Sequence, residues 1–141
     1  MKTNTKQLNT KDSVALGKQR SYNEIIEFLD ANWNSNLTDK NLSVMKKLDQ
    51  ALGNPAQKLN TVLVAGTNGK SLTINFSAQL LREEGLKVGT FYSPHILTYN
   101  ERLSINNETI ANKTFTELGN DVINTAESLG VTPNSYEVLT M

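Results

Sequence analysis

A strand, a glycine-rich turn, a helix and a second strand in immediate succession predict an α/β fold with a parallel sheet layered between helices. Three observations carry that expectation. Residues 61–65, Thr-Val-Leu-Val-Ala, are apolar after Thr61 without polar alternation, as in a strand buried on both faces of a parallel sheet. Residues 66–70, Gly-Thr-Asn-Gly-Lys, supply the turn. Residues 71–84 then put Leu72, Phe76, Leu80 and Leu81 on one side of a helix ended by Gly85, and 87–93 (KVGTFYS) read as the next strand, which is the order of a right-handed crossover unit.

The remaining elements follow from local signals. Ser21 and Glu24 are spaced as a capping box ahead of Ile25, Ile26, Phe28 and Leu29, which predicts a short helix. In 41–55, Leu42, Met45, Leu48 and Leu52 share a helical face, Gly53 suits the end and Pro55 blocks continuation. Residues 102–110 (RLSINNETI) read as a hairpin about Asn106-Asn107, because asparagine tolerates the positive φ of a two-residue turn. Thr114 and Glu117 form a second capping-box spacing before a helix lined by Phe115, Leu118, Val122, Ala126 and Leu129 and ended by Gly130. After Pro133 a last helix begins, with Glu137 in its first turn.

Composition limits the partners. The 141 residues carry 14 basic and 14 acidic side chains, so no net field recruits nucleic acid or an anionic membrane. The chain has no cysteine and no apolar run near the roughly 20 residues of a bilayer span, which excludes disulfides and thiolate metal sites and predicts a soluble, cytoplasmic protein. Residues 1–20 hold five bases against Asp12 and read as a flexible basic tail, with a transit peptide as the alternative. Residues 21–141 form the expected domain.

The turn is where chemistry concentrates. Gly66 and Gly69 free the backbone to bend, so that a phosphate can approach the positive N-terminal end of the following helix. Lys70 adds a mobile charge for phosphate oxygens, and Ser71 a hydroxyl where such loops bind magnesium or phosphate. The common phosphate-binding spacing would need glycine at position 64, which is valine, so this is a shorter loop in a P-loop NTPase-like three-layer αβα frame. A tight turn with a surface lysine is the bland reading, and the flanking strand and helix count against it.

Four motifs in order resemble one family: GTNGK (66–70), SPH (93–95), ERLSIN (101–106) and SYEVLT (135–140). Together they are similar to the amino-terminal third of folylpolyglutamate and dihydrofolate synthases, in the Mur ligase superfamily. The resemblance implies an ATP-dependent ligase joining L-glutamate to folate or dihydropteroate through an acyl phosphate, monomeric and cytoplasmic. It places ATP on Gly66, Thr67, Asn68, Gly69, Lys70 and Ser71, with Lys70 acting on the transferred phosphoryl group. It makes Ser93 and Glu137 magnesium ligands and puts a third, a histidine, beyond Met141. His95 and Arg102 fall in a substrate-facing loop, although Glu101 and Arg102 also suit a structural ion pair. The central Mur ligase domain would be incomplete here and the glutamate-binding carboxy-terminal domain absent, so the resemblance implies an inactive fragment.

The sequence departs from that pattern at Leu63, where relatives have histidine, and at Gly-Lys-Ser-Leu, where they have Gly-Lys-Gly-Ser/Thr. Residues 41–49 also lack the glycine and arginine common there, which touches pterin recognition. Two other classes fit the loop: a non-catalytic remnant that binds nucleotide weakly or not at all, and a small P-loop kinase or nucleotide switch. The second offers no reason for residues 93–102.

Overall fold

A computed structural model of the chain describes residues 17–33 and 42–141. In chain order the helices are α1 (Tyr22–Ala31), α2 (Ser43–Ala51), α3 (Lys70–Glu83), α4 (Asn112–Ser128) and α5 (Ser135–Thr140). The strands are β1 (Gly89–Phe91), β2 (Leu103–Ile105) and β3 (Glu108–Thr109). Short 3-10 turns occupy Pro55–Lys58 and Tyr99–Arg102.

The core lies between α1, α4, α5 and the turn at 99–102. Ile25, Leu29, Tyr99, Phe115, Val122, Ile123, Val138 and Leu139 form one buried cluster. α1 forms as its sequence directs: the Ser21 hydroxyl accepts from the Glu24 amide, the Glu24 carboxylate accepts from the Ser21 amide, and Ile25 and Leu29 face inward. α5 uses the same device with Asn134 and Glu137, and the Ser135 hydroxyl donates to the Leu29 carbonyl, tying α5 to α1. α4 begins at Asn112 without a side-chain cap, so the spacing of Thr114 and Glu117 is not used as one. Thr116 donates instead to the Asn112 carbonyl, four residues back.

Residues 17–20 lie along α4. The Arg20 amide donates to Asn120 at 2.8 Å, and Asn120 returns a bond to the Arg20 carbonyl at 2.8 Å. The Arg20 guanidinium donates to Asn124 and pairs with Glu127. A basic composition describes the leader on average, but Arg20 is buried. The rest of the expected tail, residues 1–16, lies outside the described residues.

The sheet differs from the expected one. β1, β2 and β3 form an antiparallel meander, with Gly89 opposite Ile105 and Ser104 opposite Thr109. Its turn is at Asn106 (φ 52°) and Asn107 (φ 71°), as the hairpin reading requires. Residues 61–65 are not a buried parallel strand here: they pair with no other strand, and Val62 and Leu63 are 83% and 89% exposed. β1 takes the partner reached through the shorter connection, which costs less closure entropy than a distant parallel pairing. The apolar side of α3 is correspondingly uncovered, with Leu72, Phe76 and Leu80 exposed and Ala78 buried. α3 touches the rest of the fold through β1.

Candidate nucleotide and substrate site

The glycine-rich turn delivers the chain to the start of α3. Gly69, at φ 79° and ψ −2°, is the residue before the helix, and Gly66 has φ 154°. A Cβ at Gly69 would meet nothing within 4 Å, so glycine is required by backbone conformation and not by space. Lys70 opens the helix and folds back, its Nζ donating to the Gly66 carbonyl at 2.6 Å and to that of Thr67 at 3.3 Å. These bonds hold the ammonium over the loop. The first amides of α3 have no partner within the helix and form its positive end. Thr67, Asn68 and Ser71 are exposed around that end.

Ser93 and Glu137 come from different segments. Ser93 lies two residues beyond the last residue of β1, Phe91, whose ring meets that of Tyr136 at 5.8 Å, and Glu137 is the next residue in α5. Glu137 uses one carboxylate oxygen in the α5 cap, accepting from the Asn134 amide at 2.8 Å. A hydroxyl and a carboxylate are hard oxygen donors, which fit a magnesium ion retaining several waters. Among the described residues no group of three or more His, Cys, Asp or Glu is gathered that could hold a metal.

Residues 93–102 form a loop with its own internal order. Glu101 accepts from the amides of Ile96 (2.9 Å), Leu97 (2.9 Å) and Thr98 (2.7 Å), which hold its carboxyl below its ordinary value of 4.5. Glu101 therefore does not form the ion pair with Arg102 that the sequence suggests. Its charge is better satisfied by three amides aimed at it from one short turn.

Arg102 is turned the other way. It is 2% exposed, its Nε donates to His95 Nδ1 at 2.7 Å, and its guanidinium carbon lies 5.1 Å from the centre of the Trp33 ring. Tyr99 stacks against His95 at 4.3 Å and donates to Asp30 at 2.6 Å. Burial and that carboxylate push the Tyr99 hydroxyl up to about 12. Trp33, Tyr99 and Asp30 are the site residues that sequence reasoning missed. The Thr98 to Glu101 spacing, a capping box, was the available signal for the loop's own order.

Because the Glu101 carboxyl is depressed in the folded loop, its contribution is present above the ordinary carboxylate range and is lost as pH falls through the folded value. The amides of residues 96–98 should be protected from hydrogen exchange at pH 7 and lose protection in acid. Glu101→Gln should show the loss already at pH 7, and equal protection factors in the two proteins at pH 7 would refute this role.

No family model matches the chain. The dihydrofolate synthase/folylpolyglutamate synthase of Bacillus subtilis (strain 168) is 42% identical over 103 residues, covering 70% of this chain and 24% of that relative. The folylpolyglutamate synthetase from Lactobacillus casei superposes with a TM-score of 0.78 at 28% identity, over 86% of this chain and 31% of that one. A folylpolyglutamate synthase in complex with AMPPCP and folate superposes with a TM-score of 0.80 at 28% identity, over 86% and 30%. This chain thus spans about a quarter to a third of these three proteins.

Proposed function

We propose, from the premise that this chain is related to the dihydrofolate and folylpolyglutamate synthases, that it carries the ATP-binding part of a carboxylate–amine ligase. The observation that carries the reading is the short loop at 66–70, with Gly69 in the left-handed region ahead of α3 and Lys70 folded over it. The substrates proposed are folate or dihydropteroate and L-glutamate, in a monomeric, cytoplasmic enzyme without nucleic-acid or membrane partners. No helix among the described residues is long and apolar enough to cross a membrane. In the whole ligase, residues 61–65 and the uncovered face of α3 would belong to a three-layer αβα domain, with 61–65 a strand of its parallel sheet.

The chemistry follows from charge. The helix-end amides and Lys70 hold the phosphate chain of ATP, with Lys70 leaving its loop carbonyls for the oxygens of the transferred group. Ser93 and Glu137 would hold magnesium, which offsets phosphate charge when bound. The folate carboxylate takes the γ-phosphoryl group, and the amine of glutamate displaces phosphate from the resulting acyl phosphate to give an amide. No covalent enzyme intermediate is needed, because positioning and electrostatic stabilisation supply most of the catalysis.

A chimera tests this reading. Residues 21–141 would replace the matching segment of the Lactobacillus casei enzyme, and ATP- and glutamate-dependent amide formation on folate would be measured. Activity within about tenfold of the parent is expected, a loss of up to about 1.4 kcal/mol in the transition state. A folded chimera that binds no ATP and forms no amide would overturn the assignment.

A further inference from the structure

Arg102 is the least compensated charge in the described fold. It is 2% exposed, and its Nη1 is the one buried side-chain nitrogen or oxygen without a hydrogen-bond partner among the described residues. Its guanidinium meets no carboxylate there, because Glu101 is committed to three amides and Asp30 accepts from Tyr99. A buried group left so is costly unless its placement serves something else. The one side-chain bond it makes is directional: Nε, which can only donate, points at His95 Nδ1.

That bond decides the histidine. A ring nitrogen that accepts cannot carry a proton, so the neutral imidazole bears its hydrogen on Nε2. His95 Nε2 has no partner among the described residues and is not one of the buried unpartnered atoms, so it faces solvent. The ring is held in place by Tyr99 at 4.3 Å and by Trp33 edge-on at 6.5 Å.

We infer that Arg102 is a positioning residue: it locks His95 into the Nε2–H tautomer, so that the 93–102 loop presents one fixed hydrogen-bond donor on its open side. The partner this suits is an oxygen acceptor, a carboxylate or ring carbonyl of a bound ligand. The ligand's identity rests on the substrate reading above, whereas the tautomer does not. Arg102 itself touches no ligand in this scheme.

The chain has one histidine, so a single imidazole is read without assignment. Long-range proton–nitrogen NMR on the ¹⁵N-histidine-labelled 141-residue chain, at a pH where the ring is neutral, should show an unprotonated Nδ1 and a protonated Nε2 in one population. Arg102→Met should convert this to averaged tautomers while the helical circular dichroism is retained. An identical histidine spectrum in the folded variant would overturn the inference. Should Arg102→Met not fold, the wild-type spectrum decides alone: averaged tautomers or a protonated Nδ1 refute it. ATP binding measured on the same sample reports separately on the ligase reading, so the two can fail independently.

Discussion

Replacing Lys70 by alanine should weaken binding of the magnesium–AMPPCP complex about 10- to 100-fold while leaving the fold intact. The magnitude is that of one charge-assisted hydrogen bond, about 1.5–3 kcal/mol, lost when no other cation can take its place. The fold should tolerate the change because Lys70 Nζ bonds only to the carbonyls of Gly66 and Thr67 in its own turn, and alanine is a good residue for the first turn of α3. Titration calorimetry on the two proteins checks it. Equal affinities would remove Lys70 from the site, and a collapse of helical signal would mean that it has a structural role instead.

The second large effect is on stability. Leu29 is fully buried in the cluster that joins α1, α4 and α5, and its carbonyl receives the Ser135 hydroxyl. Leu29→Ala removes three buried carbons and leaves a cavity at the junction, for about 2–5 kcal/mol. Since small domains hold only about 5–15 kcal/mol in all, the variant should unfold at a much lower urea concentration. Leu80→Ala is the control: Leu80 is 69% exposed on the uncovered face of α3, and its loss should shift the midpoint little. A Leu29→Ala midpoint equal to that of wild type would mean that this cluster is not the core.

Much of the local structure was legible because it is set by neighbours in sequence. Ser21 and Glu24 cap α1, Asn106-Asn107 turn the hairpin, and Gly69 and Lys70 mark the start of α3, each through contacts within a few residues. Burial was less legible. The apolar run at 61–65 and the stripe of Leu72, Phe76 and Leu80 state a demand for cover, but periodicity does not say what supplies it, and these side chains are exposed here. The reverse holds for Arg20, whose partners lie a hundred residues on in α4. Composition cannot anticipate a contact at that separation.

The site divides in the same way. The turn proposed to bind phosphate could be picked out from six consecutive residues, because its geometry is largely that of backbone and one lysine. The surroundings of His95 could not, since they bring together Trp33 at the end of α1, Tyr99 in the short turn and Arg102 beside β2. Adjacent opposite charges at 101 and 102 suggested an ion pair. Neighbouring side chains in that turn point apart, and each found a better partner.

Binding of nucleotide phosphate by the 66–71 loop is the proposal on which the ligase reading depends. The direct measurement is an amide chemical-shift map of the ¹⁵N-labelled chain titrated with AMPPCP and magnesium. Saturable shifts are expected, centred on Gly66, Thr67, Asn68, Gly69, Lys70 and Ser71, with further changes near Ser93 and Glu137 only when magnesium is present. A map with no shift in the 66–71 amides at millimolar nucleotide, or with its shifts confined to another surface, would contradict it.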